Sequence, residues 1–203
     1  MCCLSLFETA SLLKKRMFFI WKRNNKKFTL KLIREKNLHF TAHFCNSMSP
    51  MQVTVVILKP SAIQRGILGE VIARFERKGI QVVGMKMLSL TDEMVSEHYA
   101  HLADKPFFGR IKKSMQASPV VAMALKGVDV VNVVRQLAGV TNGRDAQPGT
   151  IRGDYGMSVQ ENIVHASDSP EAAGIELARF FSESEIFTYP QFLLPFTYAN
   201  DEL

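Results

Sequence analysis

Residues 52–90 carry the sequence QVTVVILKPSAIQRGILGEVIARFERKGIQVVGMKMLSL. The first seven, 52–58, are mostly apolar and β-branched and end at Lys59-Pro60, a pattern that predicts a buried strand. Residues 68–78 place apolar side chains at helical spacing and stop before a glycine, which predicts an amphipathic helix. Residues 80–90 alternate between apolar and polar side chains as a strand does. This stretch therefore predicts a strand–helix–strand unit.

Helix-like and strand-like segments continue to alternate after residue 90. A Thr91 cap followed by two acidic residues opens one helix, and Ser169 followed by Pro170 opens the last. The other predicted elements are helices at 107–117 and 128–138, strands at 119–125 and 162–166, and a glycine-rich loop at 139–153. This order is typical of an α+β, ferredoxin-like αβ sandwich, an antiparallel four-stranded sheet with helices packed on one face.

Charge and cysteine content divide the chain near residue 50. Residues 1–50 hold ten Lys or Arg and two Glu, a net charge of +8, whereas 51–203 hold 15 basic and 17 acidic residues, a net charge of −2. All three cysteines lie before residue 50, and this odd count argues against a disulfide framework. The cysteine pattern fits a reducing compartment, so we expect a cytoplasmic protein.

Residues 1–47 precede a domain, 48–203, that is complete without them. They could be a basic arm for nucleic acid or membrane, a targeting peptide, or upstream sequence read from a misplaced start codon. The third interpretation is favoured, with Met48 or Met51 as the start, because we expect the domain to be complete without this segment. Residues 17–21 are also too short for the apolar part of a signal peptide. We expect 1–47 to be disordered and not packed against the domain. No apolar run in the chain is long enough to cross a bilayer.

His165 lies where a predicted strand ends and a capped helix begins. A side chain at such a junction is held by rigid elements yet reaches solvent. Neutral imidazole is a competent nucleophile near pH 7, so His165 could be a reactive residue. The alternative interpretation is an ordinary half-buried histidine with no role in chemistry. Glu176 on the following helix could accept a hydrogen bond from one ring nitrogen and fix the tautomer, or it could simply be solvated. The pair is a candidate catalytic centre.

The sequence PGTIRGD at 148–154 could bind an anion. Its glycines let the backbone approach a phosphate, and its arginine offers planar donors. Five polar residues could donate the hydrogen bonds that a polyphosphate and a ribose need: Lys59, Arg135, Thr141, Asn142 and Arg152. Each residue alone is a weak signal, since a surface arginine is usually only solvated.

Aromatic residues precede this set in the chain. Phe107 and Phe108 follow a proline at a predicted helix start, where they could belong to the core. An exposed Phe there could instead stack on a nucleobase, a contact that tolerates any base. Tyr99 on the neighbouring helix could donate a hydrogen bond towards the site.

These motifs together resemble the nucleoside diphosphate kinase family over about residues 51–198. They occur in the family's order and spacing: Lys59-Pro60-Ser61, His98-Tyr99 with 105–108, Arg135 with Thr141-Asn142, 149–154, and NIVHASDS at 162–169. The resemblance implies a ferredoxin-like fold. It also implies transfer of the γ-phosphate of ATP, or another triphosphate, to nucleoside diphosphates by a ping-pong mechanism.

The resemblance also implies roles for single residues. His165 would be phosphorylated on Nδ1 and positioned by Tyr99 and Glu176. The phosphates would contact Lys59, Arg135, Thr141 and Arg152; the ribose would contact Asn162 and Lys59; and the base would contact Phe107, Ile111 and Val159. Mg²⁺ would arrive on the nucleotide phosphates rather than in a protein cage. The family forms homo-oligomers, and we favour a hexamer over a tetramer because 182–203 extends beyond the last helix.

The sequence departs from the family pattern at two positions. Ala166 stands where Gly is usual, which would cost up to about 1 kcal/mol if the backbone there needs a positive φ. Ser61 stands where Asp is common, and it could still cap the following turn. Neither change removes a group that the chemistry needs.

Two other functions compete with the kinase. A nucleotide-binding regulator would have lost a catalytic His, Lys or Arg, and all are present. A nucleic-acid binder would use the basic arm and an aromatic sheet face, but 52–58 has no aromatic residue. We therefore predict no membrane partner and no specific nucleic acid.

Overall fold

The structure is a computed structural model that describes residues 51–203 in full and the backbone alone of 18–24, 27–33 and 40–42. The chain divides into two units, Met1–Ser47 and Met48–Leu203. Three antiparallel strands lie in the first unit, in the order β1 (Phe18–Asn24), β2 (Lys27–Ile33), β3 (Phe40–Ala42). The sequence does not predict these strands, because 1–47 shows no sustained period. The expectation of disorder there falls largely outside the described residues and stays a prediction.

A four-stranded antiparallel sheet organises the second unit. Its strands are β4 (Met51–Leu58), β5 (Gln81–Leu88), β6 (Val120–Val128) and β7 (Val164–Ala166), and their order in the sheet is β5-β6-β4-β7. The central strand β4 therefore borders the short strand β7, with Ile57 opposite His165. The predicted α+β class is confirmed.

Helices connect these strands. They are α1 (Pro60–Gln64), α2 (Leu68–Arg77), α3 (Asp92–His98), α4 (Phe108–Met115), α5 (Val130–Ala138), α6 (Ile151–Tyr155), α7 (Pro170–Phe180) and α8 (Leu194–Thr197). Helices α2, α3, α4, α5 and α7 were predicted from the sequence, whereas α1, α6 and α8 were not. The predicted caps are confirmed, since Thr91 accepts from Met94 N and Ser169 accepts from Ala172 N. Within the described residues, no helix is both long enough and apolar enough to cross a membrane.

Helices cover both faces of the sheet, so the prediction of one covered face was wrong. Alternate residues of β4 enter opposite clusters, Val56 with Phe75 of α2 and Val55 with Phe180 of α7. All of 55–58 are fully buried. The physical reason is the unbroken apolar run in this strand, which needs cover on both sides.

Four local predictions also need correction. The loop predicted at 139–153 contains the start of α6, and β6 continues through Gly127, which pairs with Gln52. Strand β7 begins two residues later than expected, because Ile163 has a positive φ of 72°. Ser61 caps nothing, and its buried hydroxyl has no hydrogen-bond partner.

Ala166 lies inside β7 and is not among the residues with positive φ. The glycine that is usual at this position is therefore not required by the backbone here, and alanine carries no left-handed strain.

Candidate active site

A cavity of about 830 Å³ opens among the ends of β4, α4, α5, α6 and β7. Ten of the eleven predicted site residues line it: Lys59, Tyr99, Phe107, Ile111, Arg135, Thr141, Arg152, Val159, Asn162 and His165. The eleventh, Glu176, lies behind the histidine on α7. The structure thus brings together residues that are more than 100 positions apart in the chain.

His165 is half-buried in β7, and one of its ring nitrogens is engaged. Its Nε2 lies 3.0 and 3.1 Å from the two carboxylate oxygens of Glu176. An ionised carboxylate can only accept, so Nε2 carries the proton and donates. In the neutral imidazole with this tautomer, the other nitrogen, Nδ1, has its lone pair available as a nucleophile.

Glu176 is buried, and a second donor holds it. The Ser167 hydroxyl donates to Glu176 Oε2 at 2.7 Å and also lies 3.3 Å from the backbone N and O of Val55. Burial works to raise the pKa of Glu176, but the hydrogen bonds from His165 and Ser167 hold that pKa below its usual value. Ser167 was not predicted, although it lies two residues after His165, a spacing that puts side chains on one side of a strand.

Lys59 follows β4 and lies at the polar end of the cavity. Its Nζ donates to Asn162 Oδ1 at 2.6 Å and to the Gln160 carbonyl at 3.3 Å. Asn162 in turn donates to the Thr141 carbonyl at 2.8 Å. Burial and the neighbouring Arg152 lower the pKa of Lys59 to about 8. A phosphate near this ammonium would therefore be bound by a partly desolvated charge.

Arg152 extends from α6 beneath the site. It donates to the carbonyls of Gly139 at 2.6 Å and Val164 at 2.9 Å, which ties α6 to β7 and to the end of α5. Its Nε is buried without a hydrogen-bond partner, and burial together with Arg135 lowers its pKa. Two guanidinium groups and an ammonium thus converge here, an arrangement that favours a polyanion.

Arg135, at the last turn of α5, forms an ion pair with Asp168. Both side chains are substantially exposed, so the pair is worth little and can open. Asp168 lines the cavity but was not predicted as a site residue. Its position within the motif at 162–169 was the only sequence signal.

The opposite end of the cavity is mostly apolar. Phe107 precedes α4, Ile111 follows one turn later, and Val159 is 53% exposed. Two arginines that were not predicted as site residues, Arg110 and Arg144, also line this cavity. Nothing in their local sequence separates them from ordinary surface arginines.

Tyr99 and Asn142 differ from expectation. The Tyr99 ring lies 6.4 Å from the His165 ring, and in the described part of the chain no hydrogen bond joins the two side chains. Burial and the charge of Glu176 raise the Tyr99 pKa. Asn142 does not line the cavity, because its side chain donates to Asp145 at 2.7 Å within its own turn.

One group of side chains has the composition of a metal site. His98, His165 and Glu176 offer ligand atoms that all lie within 4.8 Å of one another. Arg179 lies 3.4 Å from His98 Nδ1, and its fixed positive charge opposes a cation there.

Comparison with known proteins points to one family. A family model described as nucleoside diphosphate kinase matches residues 52–186. The chain is 63% identical over 152 residues to a nucleoside diphosphate kinase of Parabacteroides distasonis, covering 75% of this chain and 99% of that protein. It is 48% identical over 152 residues to that of Rhodopirellula baltica, covering 75% and 100%. A solved halophilic nucleoside diphosphate kinase from Halobacterium salinarum, in complex with CDP, has a TM-score of 0.72 and 39% identity over 73% of this chain and 99% of that one.

Proposed function

The chain belongs to the nucleoside diphosphate kinase family and is a nucleotide phosphotransferase, and from this premise we propose that His165 carries the phosphoryl group between nucleotides. One observation carries the proposal: Glu176 holds Nε2 of His165 at 3.0 Å and leaves Nδ1 as the nucleophile. The substrate would be ATP or another triphosphate, and the acceptor any nucleoside diphosphate.

In the proposed step, the phosphoryl group passes from the triphosphate to His165 without any further reactant. The Nδ1 lone pair forms a bond to the γ-phosphorus while the bond from that phosphorus to the bridging oxygen breaks, and the diphosphate leaves. The Nε2 proton stays in place, and the Glu176 carboxylate stabilises the positive charge that develops on the ring. A second diphosphate then enters and the step reverses.

The remaining lining residues have binding roles in this proposal. Lys59, Arg135, Thr141 and Arg152 bind the phosphates, where cations offset the charge on the phosphoryl oxygens. Asn162 and Lys59 bind the ribose hydroxyls, and Phe107 stacks on the base against Ile111 and Val159. Mg²⁺ bound to the phosphates would reduce their charge and orient them.

Kinetics follow from the shared cavity. Donor and acceptor occupy it in turn, so double-reciprocal plots should be parallel, as for ping-pong mechanisms. Stacking does not read the hydrogen-bonding edge of a base, so base selectivity should be low. Intersecting plots would contradict the covalent route.

The experiment is phosphorylation of the purified protein with γ-labelled ATP, followed by a quench in base. We expect a base-stable, acid-labile label that transfers to added GDP, and no label on His165→Ala. His101→Ala, which removes an exposed histidine outside the cavity, is the matched control and should keep the label. No label on a wild type that binds ATP would favour a binding module instead.

We further propose that residues 48–203 form the catalytic domain and that 1–47 play no part in phosphoryl transfer. A protein beginning at Met48 should therefore keep full activity, and a large loss would contradict this. We also propose a cytoplasmic location and a homo-oligomer, a hexamer rather than a tetramer. The exposed aromatic residues after α7 support the assembly.

A further inference from the structure

His98 is a buried titratable residue that the proposed mechanism does not use. Its side chain is 2% exposed, and its Nε2 has no hydrogen-bond partner. Its ring lies edge-to-face against the ring of His165, with centroids 4.4 Å apart. Its Nδ1 lies only 3.9 Å from Glu176 Oε1, one of the oxygens that accept from His165. His98 is therefore a potential competitor for that carboxylate.

Arg179 of α7 contacts the competing nitrogen. Its terminal Nη1 lies 3.4 Å from His98 Nδ1, a long hydrogen bond. A guanidinium can only donate, so Nδ1 must accept and the ring proton must lie on Nε2. In this tautomer the buried Nε2 carries a proton that has no acceptor.

A surface carboxylate holds Arg179 in place. Arg179 Nε lies 3.0 Å from Glu97 Oε1 without hydrogen-bond geometry, so charge attraction joins the two. The arginine side chain is 13% exposed and the glutamate side chain 66% exposed. The charged and titratable groups around His98 are His165, Glu176, Arg179, His101 and Tyr99, whose ring lies 4.7 Å from the His98 ring. Burial and His165 lower the pKa of His98 to about 3, which keeps its ring neutral at working pH.

We propose that Arg179 is a positioning residue that fixes the tautomer of His98 and thereby reserves the Glu176 carboxylate for His165. Without the guanidinium, His98 is free to carry its proton on Nδ1 and to donate it to Glu176. His165 would then share Glu176 Oε1 with His98, and the hydrogen bonds that hold its ring in the tautomer with Nδ1 unprotonated would be weaker. This inference rests on the proposal that His165 is the nucleophile.

The test is a double-mutant cycle in the full chain. Arg179→Met removes the donor at similar length, and His98→Phe removes the competitor at similar size. We expect Arg179→Met to lower kcat by about tenfold with little change in KM, the size of coupling found between neighbours in one network. In the His98→Phe background, the same change should lower kcat less than about twofold. Equal losses in both backgrounds would overturn the proposal, because a packing defect does not depend on His98.

Two further measurements keep the result interpretable. Arg179→Lys retains a donor and should restore most of kcat; no recovery in a folded variant would count against the proposal. Nitrogen NMR of labelled histidines should find the His98 proton on Nε2 in the wild type, and a proton on Nδ1 would overturn it. A wild type without the acid-labile label would instead refute His165 as nucleophile, so the two failures are distinguishable.

Discussion

Ile163 changes the direction of the chain beside the cavity. Its φ of 72° is unusual for a β-branched residue and costs about 1–3 kcal/mol, and its side chain is fully buried. In a regular strand Asn162 and His165, three residues apart, would point to opposite faces. The irregular backbone lets both line one cavity, and the Ile163 carbonyl also accepts from Lys59 N at 2.9 Å. Strain is thus located where the proposed ribose contact and nucleophile meet.

The first prediction concerns the carboxylate behind the histidine. Glu176→Gln should lower kcat by about 10²-fold, because a neutral amide stabilises the developing imidazolium less and can also donate. The labelled-ATP half-reaction measures this loss directly. Glu183→Gln, an exposed residue of the following 3₁₀ helix, is the control and should leave the rate unchanged. Equal rates for both variants would contradict the role of Glu176.

The second prediction concerns the pH dependence of binding. The Lys59 pKa is lowered to about 8, so the free site loses this positive charge as the pH rises through that value. Bound phosphate favours the protonated form, so KM for ATP should be flat below about pH 8 and rise by up to about tenfold per pH unit above it. Lys59→Arg keeps its charge and should flatten the rise. A wild-type KM that stays constant to about pH 9.5 would contradict the lowered pKa.

At the residue scale, the sequence predicts much of the cavity lining and the contact of His165 with Glu176, but not the other hydrogen-bond partners. Lys59, Arg152 and His165 are recognisable because their residue types and motif order carry the chemistry. The contacts of Asp168 with Arg135 and of Ser167 with Glu176 depend on how α5 and α7 pack beside β7, so the motif at 162–169 contains both residues without revealing their partners.

At the element scale, the five-residue helix α6 depends on its neighbours. It is too short to be stable alone. Arg74 of α2 forms an ion pair with Asp154, donates to the Gly149 carbonyl at 3.1 Å and lies over the Tyr155 ring. These contacts hold the helix that carries Arg152.

The third prediction tests this helix. A Cβ at Gly153 would lie 2.0 Å from the Gln147 carbonyl oxygen, so Gly153→Ala should destabilise the protein by about 1–3 kcal/mol and displace Arg152. A Cβ at Gly174, inside α7, meets nothing within 4 Å. Gly174→Ala should therefore stabilise by about 0.5–1 kcal/mol. Thermal unfolding measures both, and similar shifts for the two variants would contradict the prediction.

Element order was predictable because hydrophobic periodicity and caps are local. The cover on both sheet faces could have been predicted from the sequence, because the apolar run 55–58 leaves no polar face on this strand. Helix α6 could not be predicted because its stability comes from contacts with α2, which is far away in sequence. The late start of β7 could not be predicted because no sequence pattern indicates that the backbone of Ile163 adopts a positive φ.

At the scale of the whole molecule, the segment after α7 exposes large apolar side chains. Phe192 is 82% exposed and Phe196 86% exposed. The same segment binds the edge strand β5, where Phe187 N donates to the Val83 carbonyl at 2.7 Å and Tyr189 OH to that of Val82 at 2.6 Å. Exposed apolar clusters of this kind mark contact surfaces.

The fourth prediction is the state of assembly. Light scattering of the full chain should give the mass of six copies, and a monomer mass would contradict the proposal. Phe192→Ser combined with Phe196→Ser should lower the mass, since the pair loses apolar contact area. The control is Ile175→Ser, which changes another exposed apolar residue, on α7, and should leave the mass of the assembly unchanged.

The cavity is cationic at one end and apolar at the other, and in the proposed mechanism it receives every nucleotide. The phosphorylated protein then retains no record of which base delivered its phosphate. For every nucleotide, the ratio of triphosphate to diphosphate therefore moves towards one common value, whichever triphosphate the cell regenerates. A cell that regenerates a single triphosphate would, through this one cavity, set the phosphorylation potential of the whole nucleotide pool.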